Sequence, residues 1–132
     1  MVRRRSRLSR SQDFDRVYRA GRSVANRYLV LYYFPQSGVE SARAGGPSRV
    51  GLSVSKRLGS AVERNRVKRA LREACRLNEH SIRSGYDFVV IARAPLPELL
   101  DRGGLAAVED KLMEVFRKAS LLSPREERKS VQ

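Results

Sequence analysis

The chain is short of the residues that protein-based catalysis needs. It has one cysteine, Cys75, and one histidine, His80. A single cysteine excludes an intramolecular disulfide and a zinc ribbon. A single histidine excludes a two-histidine acid–base pair. Acidic residues are scarce too, 14 against 28 Lys and Arg, for a net charge of +14 over 132 residues. No apolar run approaches the roughly 18 residues that mark a membrane-spanning candidate. The basic start, Met-Val-Arg-Arg-Arg-Ser-Arg, is not followed by the apolar core of a signal peptide. The expectation is a cytoplasmic protein with no membrane association.

What is present is positive charge on a globular frame. Hydrophobic residues make up 41% and charged residues 32% of the chain, and the pI is about 11.1. Such a surface attracts polyanions, nucleic acid first among them. Of the 28 basic residues, 23 are Arg and 5 are Lys. Arg offers phosphates a planar fork and stacks on bases. The length suits one domain, expected over residues 1–122. Residues 1–10 carry five arginines and no acid and read as a flexible basic arm. Residues 123–132 read as a disordered tail.

Hydrophobic spacing predicts the elements between. Ser11 is a candidate N-cap and Gly21 a candidate C′ residue for a short helix, with Phe14, Val17 and Tyr18 on one face. Tyr28–Phe34 is an aromatic and β-branched strand stopped by Pro35, and Val24–Arg27 before it is a short strand or a lead-in. Residues 36–48 read as a loop. Arg49–Ser55 alternates, with Val50, Leu52 and Val54 on one side and Arg49, Gly51, Ser53 and Ser55 on a polar side. A long helix is expected over about 61–79, a strand over Tyr86–Ala92, breaks at Pro95 and Pro97, and a final amphipathic helix after Gly103-Gly104. The order predicts a small α+β fold, an αβββαβα two-layer sandwich.

The long helix carries the strongest functional signal. Residues 56–76 hold eight basic and two acidic residues. At 100° per residue from Arg64, positions Lys68, Arg72, Asn65, Arg76 and Arg69 fall within about 140°. Val67, Ala70, Leu71 and Ala74 occupy the opposite arc. Arg66 sits on the border, and Glu63 and Glu73 lie outside the cationic arc. A solvated face usually mixes signs in i,i+4 pairs. This one does not, so an anionic ligand is expected to offset the repulsion. A membrane-surface helix would carry bulkier apolar residues than Ala and Val.

The run Ser53-Val-Ser-Lys-Arg-Leu-Gly-Ser-Ala-Val-Glu-Arg-Asn-Arg-Val-Lys-Arg-Ala-Leu-Arg-Glu resembles the signature of the bacterial ribonuclease P protein family, with Arg64-Asn65-Arg66 at its centre. The basic arm, Asp13-Phe14, Ser23–Arg27, Val50–Val54 and Tyr86–Arg93 fall in that family's order, so the resemblance covers most of the chain. It implies a fold of the ribosomal-protein S5 domain-2 type with a left-handed βαβ crossover. It implies a subunit that binds a catalytic RNA and assists removal of the 5′ leader from precursor tRNA. It places Lys56, Arg57, Arg64, Asn65, Arg66, Lys68, Arg69 and Arg72 against the catalytic RNA. It places Phe14, Tyr18 and Tyr32 in a cleft for the unpaired leader, where stacking suits a site that must tolerate many sequences. Tyr18 stands where the family pattern leads one to expect phenylalanine. The polar side of Arg49, Gly51, Ser53 and Ser55 is a candidate cleft floor. Magnesium is expected on the RNA of the holoenzyme and not on the protein, and no obligate protein partner is implied.

The residues themselves show no protein active site. Glu109 and Asp110 are adjacent and diverge by about 100° on a helix. Glu63 and Glu73 sit among cations as local ion-pair partners, and Cys75 lies beside the core face. Two alternatives stay open at this level: a ribosomal or assembly RNA-binding protein with no role in cleavage, and an independent protein nuclease.

Overall fold

The computed structural model describes residues 11–36 and 48–122. The expected arm, most of the expected 36–48 loop and the expected tail lie outside them. The elements are α1 (Ser11–Ala20), β1 (Arg22–Ala25), β2 (Leu29–Pro35), β3 (Arg49–Ser53), α2 (Ala61–Leu77), β4 (Tyr86–Ala92) and α3 (Leu96–Lys118). They follow the expected αβββαβα order.

One sheet, in the order β1-β2-β4-β3, organises the molecule. β1 and β4 both pair antiparallel with β2, while β3 pairs parallel with β4. A parallel neighbour requires a crossover, and α2 supplies it. β4 is central and apolar on both faces. Phe88, Val90 and Ala92 join Leu29 and Leu31 of β2 in a core with Val67, Leu71 and Ala74 of α2 and Val108, Leu112, Val115 and Phe116 of α3. Val89 and Ile91 point the other way, onto Val17 and Phe14 of α1 with Tyr32 and Phe34 of β2. The sheet and the α2/α3 layer form the expected sandwich, and α1 covers part of the opposite face.

One of three local expectations changes on inspection. Proline does not delay the last helix: α3 begins at Leu96, with Pro97 in its first turn, where the missing N–H has no intrahelical acceptor to lose. The Gly103-Gly104 pair interrupts this run, since Gly104 has φ 67° and ψ −163°, so the expected final helix does follow it. Gly21 follows α1, and its amide donates to the Val17 carbonyl at 2.9 Å. Its role is close approach: a Cβ there would lie 2.4 Å from the Val17 oxygen and 2.6 Å from the Tyr33 oxygen.

The alternation of β3 is correct, but its polar side is not uniformly open. Arg49 is 9% exposed and Asp87 only 1%. Arg49 Nε donates to Asp87 Oδ1 at 2.8 Å, and Gln36 Nε2 donates to the same oxygen at 2.8 Å. The pair ties β3 to β4 in register, as Arg49 lies opposite Asp87. Ser48 Oγ donates to the Arg83 carbonyl at 2.7 Å and accepts from the Tyr86 amide. Both ends of the 37–47 segment are thereby fastened to the start of β4. Arg49 therefore leaves the candidate cleft floor. Removing one partner of a buried ion pair typically costs about 3–5 kcal/mol, because a desolvated charge remains. Asp87→Ala should lower the unfolding free energy by about that amount in urea denaturation. A loss under about 1 kcal/mol would show that the pair is not the buried tie described here.

Candidate nucleic-acid interface

Two groups of predicted residues occupy opposite sides of the sheet. The basic group begins where β3 ends. Ser55 Oγ accepts from the Arg57 amide at 3.2 Å and caps a short 3-10 turn, Lys56–Leu58, that holds Lys56 and Arg57 exposed. Ser60 then caps α2 by accepting from the Glu63 amide at 3.2 Å, the Ser-x-x-Glu pattern of a helix start.

α2 turns Val67, Leu71, Ala74 and Cys75 inward. Burying Val67 and Leu71 stabilises by about 1.5–3 kcal/mol each. The like-charge i,i+4 pairs Arg64–Lys68, Lys68–Arg72 and Arg72–Arg76 each oppose this by only about 0.2–0.5 kcal/mol. Burial wins, so the helix carries its cations outward without help from a ligand. Asn65 and Arg69 are exposed, and Arg64, Lys68 and Arg72 half-buried. Among the described residues no carboxylate pairs with Arg64, Lys68 or Arg69. The buried Arg64 Nε has no acceptor among them either.

Two members of the basic helix are compensated. Arg66, at the border of the arc, meets Glu63 at 3.0 Å and Asp101 of α3 at 2.7 Å. Its hydrogen bond to Glu63 raises its pKa. It serves as a tie between α2 and α3 as well as a member of the basic motif. Arg76 donates through Nε to Glu73 at 3.1 and 3.2 Å, and that contact holds Glu73 below the usual carboxylate range. The cations not offset by a carboxylate thus concentrate towards the N-terminal half of α2 and the turn before it.

The aromatic group lies beneath α1. Tyr18 is 39% exposed. Its ring stands edge-on to Tyr32, with centroids 5.1 Å apart at 88°, and lies 6.3 Å from Phe14. Phe14 and Tyr32 are half-buried and pack on Val17 and Val89. All three predicted aromatics are brought together, and Tyr18 is the one that presents most surface. Ser53, not singled out from its neighbours by sequence, shares a side-chain hydrogen bond with the Tyr18 hydroxyl. Burial lifts the Tyr18 phenol above its ordinary value of 10.0, outweighing that bond. In register, Gly51 lies opposite Val89 and Ser53 opposite Ile91. Gly51 and Ser53 thus share the sheet face that α1 packs on.

Burial pushes the Cys75 thiol up to about 12, which leaves it protonated and unreactive at neutral pH. His80 is exposed at the end of the helical segment. Among the described residues no three His, Cys, Asp or Glu side chains are grouped to hold a metal ion. No described helix is long and apolar enough to cross a membrane.

Known proteins resemble this chain in sequence and fold. The family model for ribonuclease P matches residues 2–120. The ribonuclease P protein component of Bacillus velezensis is 41% identical over 120 residues, covering 91% of this chain and 94% of its own. That of an Exiguobacterium species is 43% identical over 115 residues, covering 87% and 90%. The solved ribonuclease P protein of Staphylococcus aureus superimposes with a TM-score of 0.74 at 36% identity, covering 89% of this chain and 98% of that one. The Thermotoga maritima protein gives 0.73 at 32% identity, covering 85% and 96%.

Proposed function

The chain belongs to the ribonuclease P protein family, and we propose that it serves the tRNA 5′-maturation endoribonuclease as a subunit with two RNA-gripping surfaces, one on each side of its sheet. The observation that carries this reading is the separation itself. Cations without carboxylate partners crowd one side on α2, and an open aromatic cluster occupies the other beneath α1.

On the first surface, Lys56, Arg57, Arg64, Asn65, Lys68, Arg69 and Arg72 meet the catalytic RNA, with Arg66 as a positioned member held by Glu63 and Asp101. Guanidinium and ammonium groups displace counterions from phosphates, so affinity is strong and salt-dependent.

On the second surface, Phe14, Tyr18 and Tyr32 receive the unpaired leader of precursor tRNA. Aromatic faces grip successive bases at about 1–3 kcal/mol each without reading sequence. The path between the surfaces is short, since Ser53 of the cleft floor lies three residues before Lys56. The protein thus binds the leader against the RNA that cuts it. Magnesium belongs to the RNA in this reading, and no step is routed through a metal on the protein. The work is cytoplasmic and calls for no obligate protein partner.

Arg64→Ala combined with Arg69→Ala should weaken binding of the catalytic RNA. It should also make the log–log salt slope shallower by roughly 0.7–0.9 per lost phosphate contact. A titration across salt concentrations checks this, and an unchanged slope contradicts the assigned face. Tyr18→Ala should weaken precursor tRNA by roughly 5–150-fold, the range for losing one stacked base, while leaving mature tRNA nearly unaffected. Equal losses for both substrates would remove Tyr18 from the leader site.

A further inference from the structure

A second cluster of cations lies away from α2, around the turn that joins β1 to β2. Asn26 builds this turn. Its Oδ1 accepts from the amides of Tyr28 and Leu29, both at 2.9 Å. Its Nδ2 donates to the Lys111 carbonyl at 2.9 Å and to Glu114 Oε1 at 3.1 Å, which fastens the turn to α3. Arg93, just after β4, locks it from the other side. Its amide donates to the Tyr28 carbonyl and its Nη1 to the Asn26 carbonyl, each at 2.9 Å.

Three further cations gather on this rigid turn. Lys118 Nζ donates to the Ala25 carbonyl at 3.0 Å. The Arg27 guanidinium and the Lys111 ammonium lie 6.0 and 5.8 Å from the centroid of the Tyr28 ring. Backbone carbonyls and a ring orient these groups but do not neutralise them. Lys111 has carboxylates near it, Glu114 at 3.6 Å and Asp110 at 4.0 Å. Among the described residues no carboxylate pairs with Arg27, Arg93 or Lys118. The turn therefore presents preorganised, incompletely balanced positive charge, with an aromatic ring between two of the cations.

This cluster is distinct from the α2 face. Asp101 and Glu109 of α3 intervene, meeting Arg66 and Asn78 on the α2 side. Yet Lys111 and Lys118 belong to α3, which packs on the same sheet face as α2, while α1 and its aromatics occupy the other. A ligand that lies on α2 and is large enough to pass over α3 reaches the turn. We propose that the Ala25–Tyr28 turn, through Arg27, Lys111 and Lys118, is a second phosphate-backbone contact for the catalytic RNA, separate from the α2 face. This rests on the reading of the chain as an RNA-binding subunit.

The test is the salt dependence of catalytic-RNA affinity for Arg27→Gln combined with Lys118→Gln. Lys118→Gln removes the charge and keeps an N–H donor for the Ala25 carbonyl, one atom shorter in reach. Arg27→Gln alone serves as a second variant if the pair lowers the melting temperature. The expected result is a log–log slope shallower by about 0.7–0.9 for each charge removed. That loss should add to the loss from Arg64→Ala with Arg69→Ala, as it does for contacts with no shared partners. Lys118→Arg should keep the unmodified protein's slope. The proposal is overturned if the glutamine variants bind with unchanged slope while the α2 variant loses affinity, or if only precursor-tRNA binding suffers. If the unmodified protein shows no salt-dependent binding to the catalytic RNA, the subunit reading itself fails, and this surface with it.

Discussion

The architecture depends on one strand that is apolar on both sides. β4 sits between β2 and β3 and sends Phe88, Val90 and Ala92 to one face and Val89 and Ile91 to the other. Neither face of such a strand tolerates water, so both need cover. On one face the cover is α2 and α3; on the other, among the described residues, it is α1. The unequal cover shapes the functional surface. Two helices roof one side fully and turn polar faces outward. One short helix covers part of the other side and leaves Tyr18 exposed.

Charge follows the same logic. α2 holds its cations in one arc because its inward residues repay the repulsion severalfold through burial. Among the described residues Arg64, Lys68 and Arg69 have no carboxylate partner, while Arg66 pairs with Glu63 and Asp101 and Arg76 with Glu73. The remaining positive potential is available to a polyanion. The buried Arg49–Asp87 pair has the opposite character. It is sequestered, bound also by Gln36, and serves to anchor the start of β3 against β4.

Much of this was legible before any coordinates. The aromatic run at 28–34, the alternation at 49–55 and the apolar stretch at 86–92 located three strands to within a residue or two, because each pattern is local. The cationic arc on α2 was legible for the same reason. Features that depend on contacts distant in sequence were not. Alternation put Arg49 on the polar side of β3, but its burial depends on Asp87, 38 residues later. Pro97 read as a breaker because its place in a first helical turn depends on where α3 docks. Gly21 does follow the end of α1, but the close Tyr33 carbonyl that also requires a glycine there had no local signal. The hydrogen bond between Tyr18 and Ser53 had no local signature at all. The leader cleft itself came from family resemblance, and the structure then brought its three aromatics together.

The central claim is that this protein positions RNA while RNA performs the cleavage. The most direct measurement is precursor-tRNA cleavage at low and high magnesium with catalytic RNA alone, protein alone and both together. The account predicts that the protein alone is silent and that it restores cleavage by the RNA at low magnesium. Cleavage by protein rigorously freed of RNA, or tight RNA binding with no restoration at low magnesium, would contradict it.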